Sequence, residues 1–323
     1  MAEGLLEVRD LKKYFPVAHG MFTSGKGMVH AVDGVSFSID RGETFGLVGE
    51  SGCGKSSLSR VVLGLLKADS GSLVFDGRPM EQLDRESRMQ MRMVFQNPYG
   101  SLNPKEKVFD IIAEPYRIAR GYSNEQIRRE VTRLADQVGL TRAQLECYPH
   151  QFSGGQRQRI GIARAIAVKP RLVVCDEPVS ALDVSIQAQI LNLLQDIQKE
   201  YGLSYLFISH NLNVVKYMAS RIAVMYLGKI LEIAPAEQLY GAPAHPYTKA
   251  LLSAIPGMRS RLNMERIVLR GEIPSPVDPP SGCRFRTRCP YAAPRCAQEE
   301  PQLRPVGAGH MAACHFCGEE ERP

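Results

Sequence analysis

No stretch of this 323-residue chain approaches the roughly 20 consecutive apolar residues needed to span a bilayer. Its first residues, Met1-Ala2-Glu3-Gly4, lack the basic-then-apolar layout of a secretory signal. Internal repeats are absent, and so is any basic stripe interleaved with aromatics of the kind that grips nucleic acid. Cysteine is scarce up to residue 282, where only Cys53, Cys147 and Cys175 occur. These absences predict a chain that is cytosolic, or that sits on a membrane by holding something else. Hydrophobic content of 44% and charged content of 23% are those of an ordinary globular protein, long enough for a full core and one or two smaller appendages. The net charge of +6 fits an anionic partner such as nucleic acid or lipid headgroups, and equally a mildly basic surface.

Residues 49–56 read Gly49-Glu50-Ser51-Gly52-Cys53-Gly54-Lys55-Ser56, a complete G-x-x-x-x-G-K-[ST] phosphate loop. Thr44–Val48 before it is a short apolar run that predicts a buried strand. Ser57–Leu66 after it carries Leu58, Val61, Val62 and Leu65 at helical spacing. Glycines at 49, 52 and 54 let the backbone curl so that successive N–H groups face one anion, and the helix N-terminus adds its positive dipole end. Lys55 can reach the β- and γ-phosphates, and the Ser56 hydroxyl can ligate Mg²⁺. Ser51, Cys53 and Ser57 complete the predicted ATP-binding stretch.

Three regions follow from composition. Residues 1 to about 95 mix strand-like runs, Val35–Ile39, Thr44–Val48 and Ser72–Phe75, with turns such as Asp76-Gly77. Residues 97 to about 150 look helical: Ser123 to Gln126 is a capping box, Ile127, Val131, Leu134 and Val138 share one face, and Gly139 is the stop. From Ser153 to about 233, helix alternates with the buried strands Leu172–Cys175, Tyr205–Ser209 and Ile222–Tyr226, which predicts an α/β core with a helical insertion. Beyond Pro235 the chain turns proline-rich and irregular and reads as an ordered surface tail. Five of the eight cysteines, Cys283, Cys289, Cys296, Cys314 and Cys317, crowd into its last 41 residues, a pattern that suggests metal before disulfides in a cytosolic chain.

Leu172–Cys175 runs into Asp176 and Glu177. Asp176 is placed to hold the Mg²⁺ shell, and Glu177, just past the strand end, to polarise a water for attack on the γ-phosphate. Ser153-Gly154-Gly155-Gln156 opens a helix with serine as N-cap. Together with Ser180-Ala181-Leu182-Asp183 and Ser209-His210, these motifs resemble the ATP-binding-cassette (ABC) ATPases over about residues 5–240. The resemblance implies an α/β phosphate-loop core with an antiparallel β subdomain and a helical subdomain at about 97–152, giving an ATPase domain over 1–240. It implies that Phe15 stacks on adenine, with Tyr14 a rival, and that Gln96 touches Mg²⁺ or the attacking water. Ser153 to Gln156 would contact, in trans, the γ-phosphate held by a second cassette. Asp183 would communicate across that dimer, and His210 would contact the γ-phosphate as a switch. Asn211 stands where the family usually carries Asp.

Tyr14-Phe15-Pro16-Val17 with the loop through Asp33, Gln96 to Pro104, and His245 to Leu252 resemble the ATPases of bacterial dipeptide and oligopeptide importers, most closely the F-type dipeptide subunit. That resemblance implies residues 241–323 form the importer-type extension. It also implies that Cys283, Cys289, Cys296 and Cys314 hold a 4Fe–4S iron–sulfur cluster of structural role, with Cys317 extra to the pattern. Four thiolates also suit Zn²⁺, although zinc sites usually show a close cysteine pair. Arg284, Arg286, Arg288 and Arg295 lie where they would offset a negative metal–thiolate centre. The partners implied are a second cassette chain, two transmembrane permeases and an extracytoplasmic peptide-binding protein, with no nucleic acid, at the cytoplasmic face of the inner membrane. The alternative is a soluble nucleic-acid-associated ABC ATPase with a zinc site.

Overall fold

The computed structural model describes residues 4–17, 27–119, 121–255, 257 and 265–317. In chain order its elements are β1 (Gly4–Pro16), β2 (Met28–Asp40), β3 (Thr44–Val48), α1 (Lys55–Val62), β4 (Ser70–Phe75), β5 (Arg78–Pro79), α2 (Arg85–Met89), β6 (Met91–Val94), α3 (Pro98–Ser101), α4 (Val108–Ala119), α5 (Asn124–Gln137) and α6 (Gly154–Ile166). There follow β7 (Leu172–Asp176), α7 (Val184–Tyr201), β8 (Ser204–Ser209), α8 (Leu212–Met218), β9 (Arg221–Tyr226), β10 (Lys229–Pro235), α9 (Ala236–Gly241), α10 (Pro246–Ser253), α11 (Arg295–Gln298), β11 (Arg304–Gly307) and β12 (His310–Ala312). Among the described residues no helix is long and apolar enough to cross a membrane.

The chain divides into two compact units. One comprises residues 1–6, 39–44 and 75–209, and the other 7–38, 45–74 and 210–323. In the first, β6, β7 and β8 are parallel neighbours, paired from Met91↔Leu172 to Val94↔Cys175 and from Leu172↔Ser204 to Asp176↔Ile208. Every residue of β7 and β8 is buried, which is why these strands read as unbroken apolar runs rather than as alternations. Helices α3 to α5 lie in the stretch expected to be helical. The Ser123 capping box is formed, the Ser123 N–H donating to Gln126 Oε1 at 2.7 Å and the Gln126 N–H to Ser123 Oγ at 3.2 Å. The helix ends at Gln137, with Gly139 in the left-handed region (φ 75°) as the sequence predicts.

In the second unit, β3 runs parallel to β9, β9 antiparallel to β10, and β10 antiparallel to β12, which closes on β11. Strands β2, β1 and β4 are neighbours in a separate sheet. Two differences from the sequence reading appear here. Helix α1 stops at Val62, because Gly64 takes a positive φ of 68°, and Leu65 is 62% exposed instead of continuing the buried face. The tail supplies two strands of its own, and β12 extends the sheet through Glu232↔Ala312 and Ile233↔Met311. The phosphate loop and the tail thus belong to the same unit.

Candidate nucleotide site and cysteine extension

The phosphate loop leaves the buried strand β3 and enters α1 at Lys55. A Cβ on Gly54, which has φ 110°, would lie 1.9 Å from the Ala31 carbonyl oxygen, and one on Gly49 would lie 2.2 Å from that of Met225. Glycine at both ends lets the loop close against neighbouring backbone. The first turn of α1 carries no acidic residue, so its positive dipole end is left for an anion. Lys55 is buried, and its Nζ donates to the carbonyls of Gly49 (2.7 Å) and Glu50 (3.0 Å). Ser51, Gly52 and Ser56 are exposed and Ser57 is half-buried. Burial pushes the Cys53 thiol up from its ordinary value.

In the same unit, the rival aromatics differ in commitment. The Tyr14 hydroxyl donates to Asp33 Oδ1 at 2.5 Å and its ring packs on His30 with centroids 4.4 Å apart. Among the described residues, the Phe15 ring carries the Lys13 ammonium, 5.5 Å from its centre. His210 is exposed. Beside it Asn211 caps α8, its Oδ1 accepting from the Asn213 N–H at 3.0 Å, a task for which asparagine and aspartate are about equally suited.

In the other unit, Asp176 ends β7 and is 6% exposed. Glu177 follows with φ 47°, its N–H donating to the Ile208 carbonyl at 2.9 Å. The β6–β7 register, Val94↔Cys175, puts Gln96 and Glu177 each two residues past paired positions. Gln96 Nε2 accordingly donates to Glu177 Oε2 at 3.0 Å. This joins two residues assigned to the attacking water. A non-glycine residue held at positive φ is the kind of strain that collects at functional positions.

Ser153 and Gln156 form a capping box at the start of α6, the Ser153 N–H donating to Gln156 Oε1 at 3.1 Å and the Gln156 N–H to Ser153 Oγ at 3.4 Å. A Cβ on Gly155 would fall 2.5 Å from Ile186 Cγ2 of α7, so this glycine serves packing as well as exposure of its N–H; Gly154 lies 3.4 Å from Leu182 by the same measure. Further along α6, Arg164 donates to the Ser101 carbonyl at 2.8 Å, tying the helix to the end of α3. Asp183 is the exposed N-cap residue of α7, next to Val184, which is 81% exposed.

Back in the unit of the phosphate loop, Cys283, Cys289, Cys296 and Cys314 line one small cavity together with Phe285 and His315. Burial, with the three neighbouring thiols adding to it, pushes the Cys283 thiol up to about 12. The Cys283 N–H donates to the Cys296 carbonyl at 2.8 Å. Cys317 is set apart: its thiol donates to the Ala244 carbonyl at 3.3 Å. Among the described residues, no group of three or more His, Cys, Asp or Glu side chains is gathered closely enough to hold a metal ion.

The arginines among the cysteines are turned to other partners, contrary to the charge-offsetting role the sequence suggests. Arg284 pairs with Asp33 and donates to the Leu227 carbonyl, and Arg288 pairs with Glu50. Arg286 reaches Ser281, and Arg295 reaches Glu299. Burial alone would raise the Asp33 carboxyl, but the Tyr14 hydroxyl and the Lys229 and Arg284 cations hold it below its usual value. Sequence reasoning missed this docking system, together with buried Glu232. Glu232 accepts from His310 Nε2 (2.6 Å) and from the backbone N–H groups of Ala244 (2.7 Å) and His245 (2.9 Å). The only signals were an acid inside a phosphate loop and a run of arginines.

The family model "ABC transporter" matches residues 32–180, and "Oligopeptide/dipeptide transporter, C-terminal region" matches residues 231–296. The oligopeptide transport ATP-binding protein AppF of Bacillus subtilis is 50% identical, with 97% of this chain and 98% of that protein covered. The dipeptide transport ATP-binding protein DppF of Escherichia coli is 47% identical, with 100% and 97% covered. Among solved structures, the dimeric post-hydrolysis state of the ATP-binding cassette MJ0796 bound to ADP and Pi superposes with a TM-score of 0.63 at 25% identity, covering 72% of this chain and 98% of that one. The chain belongs to the ABC ATPases, in the family of oligopeptide and dipeptide transport ATP-binding proteins.

Proposed function

We propose that this ATPase powers uptake of dipeptides or oligopeptides across the bacterial inner membrane, working at its cytoplasmic face with a second cassette chain, two permeases and an extracytoplasmic peptide-binding protein. One observation carries the reading: relatives about half identical along nearly the whole chain, extension included, are peptide transport ATP-binding proteins. The nucleic-acid alternative is not favoured by those relatives. Residues 1–240 serve as the ATPase domain, with 97–152 as its helical part, and 241–323 as the importer-type extension.

In this reading Lys55 and Ser56, with the loop N–H groups of 49–57, take the phosphates and Mg²⁺, and Asp176 supports the Mg²⁺ shell. Glu177, steadied by Gln96, orients and deprotonates the attacking water, and His210 senses the γ-phosphate. Phe15 stacks on adenine, since Tyr14 is committed to Asp33 and His30. Ser153 to Gln156 and Asp183 act on the second cassette's nucleotide, so hydrolysis follows dimer closure. Co-purification tests the assembly: permease subunits retained from detergent extract and peptide uptake into proteoliposomes are expected. Salt-sensitive retention of RNA or DNA without permeases would overturn it.

Cys283, Cys289, Cys296 and Cys314 would hold a 4Fe–4S cluster, with Zn²⁺ the alternative. Four thiols lining one cavity supply the donor set of either, although the side chains would have to draw in further to ligate. When bound, the group supplies a cross-link among distant parts of the tail. Anaerobically purified protein is expected to be brown and to contain iron and sulfide; a colourless, zinc-loaded preparation would sink the cluster.

A further inference from the structure

Glu50 is an electrostatic oddity, because it places a carboxylate second in an eight-residue loop built to bind a polyanion. Its polar groups are all occupied. The N–H donates to Tyr247 Oη at 3.1 Å, and the carbonyl accepts from Lys55 Nζ at 3.0 Å. The carboxylate accepts from both ends of the Arg288 guanidinium, Nη1 to Oε2 at 2.7 Å and Nη2 to Oε1 at 3.3 Å. The Arg288 side chain is only 9% exposed, so water does little to screen this pair. Its guanidinium also lies over the Tyr226 ring, 6.0 Å from the centre. Tyr226 packs with Tyr247 and Phe285, at centroid separations of 4.8 and 5.5 Å, so the arginine rests on a rigid aromatic bed. Arg288 precedes Cys289, one of the four cysteines of the cavity.

We infer that Arg288 is a positioning residue for ATP binding: it neutralises Glu50 and so lets the phosphate loop accept a nucleoside triphosphate. Without it, the Glu50 carboxylate faces the incoming phosphates as an uncompensated like charge. With it, the loop keeps its net attraction, and the order of the cysteine segment is felt at the nucleotide. This rests on residues 49–56 being the phosphate site.

The test is fluorescent-nucleotide titration of the purified full-length chain with Mg²⁺, metal content being verified equal across variants. Arg288→Gln is expected to raise the ATP Kd by about tenfold, which corresponds to about 1.4 kcal/mol. Arg288→Lys, which keeps the charge but not the fork, should raise it by about threefold. Adding Glu50→Gln to Arg288→Gln should bring the Kd back to within about threefold of wild type, because the repulsion is gone. A merely structural arginine would show no such rescue, since the second substitution removes a further contact. The loss in Arg288→Gln should also shrink in high salt. Arg286→Gln, whose side chain among the described residues bonds Ser281, serves as control and should bind as wild type. The inference is overturned if Arg288→Gln matches that control, or if the double variant binds no better than the single one. Lys55→Ala separates the underlying reading: wild-type binding in that variant would overturn the phosphate site itself, and the inference with it.

Discussion

The phosphate loop and the cysteine extension lie in one compact unit, yet they are written into the chain in opposite ways. The loop needs its residue types within eight consecutive positions, and each acts through its own backbone or a near neighbour. The extension is docked by polar pairs whose members stand far apart in sequence: Arg284 with Asp33, 251 residues away, Arg288 with Glu50, 238 away, and His310 with Glu232, 78 away. A motif of the first kind carries its chemistry in the open. Pairs of the second kind have no period and no spacing rule, so an arginine that neutralises an acid cannot be told from one that offsets a metal centre.

The comparison is sharpest where the effect is largest. Glu177→Gln keeps shape and hydrogen-bonding capacity but loses the carboxylate proposed as the base, and hydrolysis is expected to fall by about 10²–10⁴-fold while ATP binding persists. Single-turnover assays beside nucleotide titration measure both. Unchanged turnover would remove Glu177 from the chemistry and with it the claim that the cassette motifs are self-announcing.

On the extension side, the largest expected effect is at Glu232, which is fully buried and accepts from His310 and two backbone N–H groups. Glu232→Gln places an amide N–H against donors and should cost about 3 kcal/mol, read as a lowered melting temperature. The pH dependence follows from the same site. Burial alone would raise the Glu232 carboxyl, but the hydrogen bonds from His310, Ala244 and His245 outweigh it and hold the group below 4.5. Its stabilisation is therefore complete above 4.5 and is lost as pH falls through the depressed folded-state value. The wild type should lose stability in acid more steeply than Glu232→Gln; parallel acid limbs would show that the carboxylate is not what docks the tail.

Legibility followed the same divide. Strands β3, β7, β8 and β9 were readable to within a residue or two because they are buried on both faces, and the caps at Ser123 and Ser153 because their partners sit three residues on. Strands β11 and β12 were not, since β11 has four residues with a proline and a glycine among them and β12 has three, too few to show alternation. In the candidate site, Asp176, Glu177 and Lys55 were legible from motif alone, and the Gln96–Glu177 bond followed only once the β6–β7 register was known. Gly155 was read only as part of the Ser153 to Gln156 motif, whereas its contact with Ile186 depends on how α6 meets α7. Gly155→Ala should therefore cost about 2 kcal/mol through overpacking, measured by denaturant unfolding, and a neutral result would return that glycine to a purely N–H role.

The smallest effect isolates the local code. Ser123 and Gln126 close a reciprocal cap within the first turn of α5. Ser123→Ala removes one acceptor for one orphan N–H and should cost about 1 kcal/mol. Because the loss is confined to that helix end, ATP Kd and the acid limb set by Glu232 should not move. Scanning calorimetry and nucleotide titration on the same preparation check this. If so local a change shifted nucleotide affinity, the two ways of encoding structure contrasted here would be coupled, and the extension would not be unusual in reaching the loop.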